Sequence, residues 1–252
     1  NMLVNSGIIG DVSAAPDPGL FPLSVRGCGE GNGCGADWVR PGRALWSWLA
    51  DNGPVSFDNM KCFSKWAGEL GFEYNLVDAG WSNWEGQGRD SWDMIRELVD
   101  YSAPLGVKIW VWKAYPDDRG VDGIQTPERL QAFLKKCRET GVAGVKIDYF
   151  YDESQQVVRF YEDALKEAAK YQLMVDFHGA DKPTGLNRTF PNELTREGIR
   201  GLEIRGPWAT HNTILPFTRY LAGPADFTPV TFSPKRLSET SWCHQVATAV
   251  IF

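Results

Sequence analysis

From Arg43 onward the chain alternates two rhythms of apolar and polar residues. Short runs rich in β-branched and aromatic residues, ALWSW (44–48), YNLVDAGW (74–81), VKIWVWKAY (107–115), VAGVKIDYF (142–150) and LMVDFHG (173–179), read as buried strands. Between them, apolar residues recur at helical spacing. In SFDNMKCFSKWAGELGF, Phe57, Met60, Phe63 and Leu70 fall near one face. DSWDMIRELVDYSAPLG opens on Asp90 or Ser91 as a cap. TPERLQAFLKKCRETG carries Thr126 as N-cap, Pro127 at the first helical position and Gly141 past the end. ESQQVVRFYEDALKEAAKYQ is the fourth helical stretch. After a long loop, ADKPTGLNRTFPNELTREG, a sixth strand is predicted at IRGLEIRG (199–206). THNTILPFTRYLAG follows, then PADFTPVTF (224–232) as a seventh strand and SWCHQVATAVIF as a terminal helix.

Strands alternating with helices about every 30 residues predict a parallel sheet covered by helices. Repetition of that unit along the chain predicts an α/β fold of the (β/α)8 TIM-barrel type rather than a doubly wound sheet. No glycine-rich phosphate turn follows any strand, which disfavours a nucleotide site. Seven strands are readable, so an eighth would have to follow Phe252 or be recruited from residues 1–40, and the barrel is expected to be incomplete, lacking its last strand–helix unit. Residues 1–40, rich in Gly, Pro, Ser and Asp, read as a lead-in segment or linker, and 41–252 as a C-terminally truncated barrel domain.

Composition narrows the function. The 252 residues are 43% hydrophobic and 23% charged, with a net charge of −6, as in ordinary folded domains. The acidic balance argues against nucleic acid or an anionic membrane as partner. No run approaches the roughly 18 apolar residues of a membrane span. The first residues lack the basic start of an intact signal peptide; a periplasmic or secreted location is expected. Five Cys, an odd number, exclude a full disulfide framework. Cys28 and Cys34, in GCGEGNGCG, read as a local disulfide or two free thiols rather than a metal site. Eleven Trp against three His suggest a large aromatic core or a site that stacks the flat faces of sugars.

Barrel enzymes place their chemistry at the carboxyl ends of the strands. Those ends carry Trp46 and Trp48, Asp78 and Trp81, Trp112 and Lys113, Asp148, Asp176 and His178, Glu203, and Asp226. Carboxylates with an aromatic platform suit a carbohydrate, although any single Asp there could equally cap a helix. Lys146 and Asp148, two apart, share one side of a strand. A cation there favours an ionised Asp148, as a nucleophile requires; a structural Lys–Asp pair is the plainer reading. Glu203, after apolar Leu202, is expected to be partly desolvated and able to donate a proton, or else to pair with Arg200 or Arg205. His178 is read as facing a sugar hydroxyl or Glu203, and Asp78 as a hydroxyl acceptor or a cap. Trp66 and Trp92 read as packing, His211 and His244 as structural, Arg188 and Arg196 as loop ties, and Glu193 as a surface residue.

The stretches HGADKPTGLNRTFPNELTREGIRGLE (178–203) and LPFTRYLAGPADFTP (215–229) resemble the catalytic domain of glycoside hydrolase family 97. GRALWSW (42–48), YNLVDAGW and GVKIDYF extend the resemblance over about residues 40 to 252. It implies a (β/α)8 barrel between an N-terminal β-sandwich and a C-terminal β-domain, and exo-acting α-glycosidase activity helped by calcium. The family's inverting branch, of α-glucosidases, has a base Glu just after the fifth strand, where this chain has Gly179. Its retaining branch, of α-galactosidases, has an Asp nucleophile after the fourth, where this chain has Asp148. The resemblance therefore implies a retaining α-galactosidase with Asp148 as nucleophile, Glu203 as acid/base, and Glu197 and Glu203 as calcium ligands. Asp78, Trp112, Lys146, Asp176 and His178 are expected to bind the oligosaccharide or α-galactoside. The alternatives are an inverting α-glucosidase-like member, a catalytically inactive sugar-binding barrel fragment, and a divalent-metal barrel enzyme that acts on carboxylic acids through Asp148 and Asp176.

Overall fold

The computed structural model describes residues 4–5, 37–50, 55–86, 88–118, 120–204, 206–227, 234–235 and 237–252. Most of the expected lead-in segment, with Cys28 and Cys34, lies outside them. Cys62, Cys137 and Cys243 are free thiols.

One sheet runs in chain order: β1 (Val4–Asn5), β2 (Ala44–Trp46), β3 (Tyr74–Val77), β4 (Lys108–Ala114), β5 (Gly144–Asp148), β6 (Met174–Phe177) and β7 (Glu193–Arg196). β1 pairs antiparallel with β2, and β2 to β7 are parallel. Helices α1 (Phe57–Leu70), α2 (Ser91–Ser102), α3 (Pro127–Thr140) and α4 (Gln155–Lys170) connect successive strands from β2 to β6. The result is an open (β/α) half-barrel of TIM type. Short α5 (Leu186–Thr189), then α6 (Trp208–Ile214) and α7 (Trp242–Ile251) complete the described elements.

The local signals that mark the helices hold. Asp90 caps α2 in a reciprocal capping box with Asp93. Thr126 caps α3, Pro127 opens it, and Gly141 ends it in the left-handed region at φ 91°. Met60 and Phe63 on α1 are buried as expected, but Leu70 is exposed.

The late strands differ from the reading. IRGLEIRG is not a strand. The sixth parallel strand is ELTR, inside what reads as a loop. Its charges are tolerated because they neutralise one another: Arg196 Nε donates to Glu193 Oε1 at 2.8 Å, and Arg196 Nη1 to Asp181 Oδ1 at 2.6 Å. The guanidinium also lies 4.2 Å from the Tyr161 ring centroid. Glu193 is therefore a buried ion-pair partner, not a surface residue. Of PADFTPVTF, Pro224–Phe227 is irregular and the remainder lies outside the described residues.

Alternation along the strands sorts the sheet into two faces. Leu45, Val77, Ile109, Val111, Val145, Ile147, Val175 and Phe177 point outward and pack with Met60, Phe63, Ile95, Leu98, Leu134 and Leu165 of the helices. The inward face begins with an apolar layer in register: Trp46, Leu76, Trp110, Gly144 and Met174. Gly144 is required here, since a Cβ on it would lie 2.4 Å from the Trp110 indole. The next layer is polar: Trp112, Lys146, Asp176 and Thr195 are successive register partners. A bulge between Val175 and Asp176 shifts the β6–β7 register, so Val175 faces Glu193 while Asp176 faces Thr195. The apolar layer closes the interior, and the polar layer above it opens towards the strand carboxyl ends.

Candidate active site

Asp148 ends β5, where both its oxygens are engaged. Trp112 Nε1 donates to Oδ2 at 2.8 Å, and the Tyr149 backbone N–H donates to Oδ1 at 2.7 Å. Tyr149 reaches this position at φ 72°, a left-handed backbone rare for a bulky residue and a form of strain that clusters at functional sites. Gly179, after β6, also has a positive φ (60°). A Cβ there would lie 3.1 Å from Asp148 Oδ1 and 3.1 Å from Tyr149 N. The missing side chain leaves that flank of the carboxylate open.

Beneath Asp148 lies Lys146, only 1% exposed. Its ammonium donates to Asp78 Oδ2 at 2.9 Å rather than to Asp148, and sits 4.6 Å from the Trp46 ring centroid. Trp46 Nε1 donates to the same Asp78 oxygen at 2.6 Å. Burial works against the Lys146 charge, but Asp78, Asp148, Asp226 and Asp176 outweigh it and hold the pKa above that of ordinary lysine.

The indoles expected to line a sugar platform have a different part. Trp46, Trp81 and Trp112 are at most 3% exposed, and their N–H groups bond to Asp78, to the Trp112 carbonyl and to Asp148. Trp46 and Trp112 orient carboxylates, and Trp81 braces the Trp112 backbone. Trp48, at 46% exposure, presents an open face near the mouth. Trp66 and Trp92 pack against the core as read from the sequence.

His178 gathers the remaining acids. Its Nδ1 lies 2.8 Å from Asp226 Oδ2, and its Nε2 lies 3.2 Å from Glu203 Oε1 and 3.5 Å from Glu197 Oε1. Burial and Lys146 oppose a proton on this ring, yet Asp226 and Glu203 prevail and hold its pKa well above the ordinary imidazole value. Burial, then the neighbouring Asp226 charge, pushes Asp176 well above the carboxylate range. Asp226 goes the other way: burial would raise it, but His178 and Lys146 hold it below that range. The Gly179 N–H donates to Glu197 Oε2 at 2.7 Å, and burial raises the Glu197 pKa. Glu203 follows buried Leu202 on a turn and is the most open of these acids, its side chain 31% exposed.

One residue that sequence reasoning passes over organises both loops. The Arg219 guanidinium donates to the carbonyls of Arg196, Glu197 and Gly198 after β7, and of Gly223 and Pro224 before Asp226. The sequence signal is faint: an Arg at the start of a short 3-10 turn (Arg219–Ala222), with carbonyls rather than acids as partners.

Two metal sites can be tested on these donors. Asp176, His178 and Asp226 bring ligand atoms within 4.8 Å of one another. The Lys146 ammonium acts on the same two acids, which disfavours a divalent cation there. Glu197 and Glu203 converge near His178 Nε2, but one Glu197 oxygen already accepts from Gly179. Two carboxylates fall short of the six to eight oxygens calcium takes, so the described residues do not form a calcium cage and no step is routed through that ion.

An α/β half-barrel with acids gathered at its strand ends is an arrangement that suits carboxyl chemistry on sugars. The family model described as Glycoside hydrolase 97 matches residues 45–199, and the chain belongs to that family. A "Probable retaining alpha-galactosidase" of Streptomyces bingchenggensis is 38% identical over 226 residues, covering 85% of this chain and 34% of the relative. A "Retaining alpha-galactosidase" of Bacteroides thetaiotaomicron is 31% identical over 250 residues, covering 85% and 36%. The chain thus spans about a third of these relatives. Among solved structures, a beta-arabinopyranosidase superposes with a TM-score of 0.69 at 25% identity, over 84% of this chain and 36% of that one. A family 97 enzyme from Pseudoalteromonas sp. strain K8, in complex with acarbose, gives 0.63 at 26% identity, over 84% and 38%. No described helix is long and apolar enough to cross a membrane.

Proposed function

We propose that this chain carries the reaction centre of a retaining, exo-acting α-glycosidase whose substrates are α-galactosides. Asp148 is the nucleophile and Glu203 the acid/base. In the first displacement an Asp148 oxygen bonds to the anomeric carbon as the glycosidic C–O bond breaks, and Glu203 gives its proton to the departing oxygen. In the second, Glu203 takes a proton from the water that attacks the same carbon. The Asp148 ester bond breaks, and the sugar leaves with its original configuration. Asp78, Trp112, Lys146, Asp176 and His178, all buried, line the base of this site, where Trp112 acts by orienting Asp148 rather than by stacking on the sugar.

The observation that carries this reading is the seat of Asp148. Two N–H donors aim its oxygens, and Gly179 leaves its flank unobstructed. The names of the two curated relatives support retention and galactose. Asp148→Asn is expected to abolish turnover of p-nitrophenyl α-galactoside. Azide is expected to rescue Asp148→Gly, with β-galactosyl azide as product. An Asp148→Gly variant as fast as wild type would remove the mechanism. NMR of the first-formed anomer separates retention from inversion. The substrate panel includes α-glucoside and β-arabinopyranoside, the latter because of the structural neighbour's name.

Calcium is a separate proposal for Glu197 and Glu203. Titration calorimetry with calcium chloride is expected to give one site, lost in Glu197→Gln. Identical heats from wild type and variant would end that assignment. A periplasmic or secreted location belongs to the same reading and is checked by fractionating the source cells.

A further inference from the structure

We propose that Asp226 is a positioning residue for the acid/base: by accepting from His178 Nδ1–H, it fixes the imidazole so that Nε2 addresses Glu203. The proposal rests on the reading of Glu203 given above, because its effect on turnover is exerted through that carboxyl.

The geometry forms a chain of three groups from three places in the sequence. Asp226 Oδ2 lies 2.8 Å from Nδ1, and Glu203 Oε1 lies 3.2 Å from Nε2. An imidazole turned over about its Cβ–Cγ bond would present carbon edges in place of these nitrogens, so a single strong acceptor on one side sets what the other side offers. Asp226 is suited to be that fixed side. It is 1% exposed, flanked by Ala225 at 4% and Phe227 at 0%, and its backbone N–H donates to the Arg196 carbonyl at 3.3 Å. Arg219 ties the preceding Gly223 and Pro224 carbonyls to those of Arg196, Glu197 and Gly198. Glu203, on an open turn, has the ring as its side-chain hydrogen-bond partner among the described residues.

The three histidines of this chain make the arrangement directly observable. In the full 252-residue chain labelled with 15N-histidine, long-range 1H–15N spectra report which ring nitrogens carry protons. His178→Asn identifies the His178 signals by their loss. The expected wild-type result is a protonated Nδ1. In Asp226→Asn, with circular dichroism matching wild type, the His178 nitrogen shifts are expected to change. The same variant is expected to lose about 100-fold in kcat on p-nitrophenyl α-galactoside, with KM within about 3-fold, as for misplacement of a catalytic group. A purely structural role would lower the yield of folded protein without this split. A bare Nδ1 in wild type overturns the proposal, and this reading needs no variant to fold. Unchanged His178 shifts in Asp226→Asn, or changed shifts with kcat intact, overturn it as well. A wild-type chain that hydrolyses no glycoside in the panel removes the glycosidase reading instead, and the spectra alone then decide whether Asp226 orients His178.

Discussion

Lys146 is the residue on which the interior charge turns. Removing its side chain would leave Asp78 buried with only the Trp46 indole N–H on the shared oxygen. Breaking one half of a buried pair costs about 3–5 kcal/mol. Lys146→Met is therefore expected to lose that much in urea unfolding near neutral pH, and a loss under 1 kcal/mol would contradict the pairing. The pH dependence has a definite sign. The folded pKa is raised, so the ammonium's contribution is complete below the unfolded lysine value of about 10.4 and declines above it. Above that value the folded state keeps a proton that the unfolded chain has lost. The stability gap between wild type and Lys146→Met should narrow by up to about 1.4 kcal/mol per pH unit. A gap constant from pH 9 to pH 12 would refute this. Asp148, His178 and Asp78 are legible in the sequence as polar residues at strand ends, whereas Glu203, read as ending a strand, lies on a turn after β7. The pairings of these residues are not legible. The reading joins Lys146 to Asp148, whereas the ammonium reaches across to Asp78, because strand neighbours in space carry no mark of adjacency in the chain.

At the scale of elements, helices α1 to α4 and strands β2 to β6 follow from apolar periodicity and caps. β7 does not. ELTR has two charges in four residues and no apolar run, and only its neighbours Asp181 and Tyr161 make it a buried strand. IRGLEIRG looks more like a strand, but two glycines weaken it and Glu203 needs a turn. The interior register is also strict. Trp110 fills the space across from Gly144, so Gly144→Ala must displace an indole ring or the strand. Overpacking of this kind costs about 1–3 kcal/mol, measured as a lower midpoint in urea with an unchanged slope. An Ala variant as stable as wild type would show that the layer has slack.

At the scale of the molecule, the sheet is open. Among the described residues β7 pairs only with β6, and Phe217, Leu221, Val250 and Ile251 are 77%, 79%, 77% and 61% exposed. Unpaired edges and clustered apolar side chains favour association. Light scattering of the 252-residue chain is expected to reveal concentration-dependent self-association, reduced by Phe217→Glu with Leu221→Glu. A monomer throughout the micromolar to submillimolar range would refute it. The barrel class is legible because repetition of strand and helix survives whatever happens at the edges. How the sheet ends is not, because edge pairing is decided by segments far away in the chain.

The bare flank at Gly179 also bears on what the Asp148 carboxylate tolerates beside it. A lone Gly179→Glu exchange would demand a left-handed backbone from a residue that carries a Cβ and set a second negative group against Asp148, whose oxygen stands 3.1 Å from where the new Cβ begins. Positions 148 and 179 are therefore coupled, and a laboratory evolution experiment starting from this chain should recover an acid at 179 together with a change at 148 rather than alone.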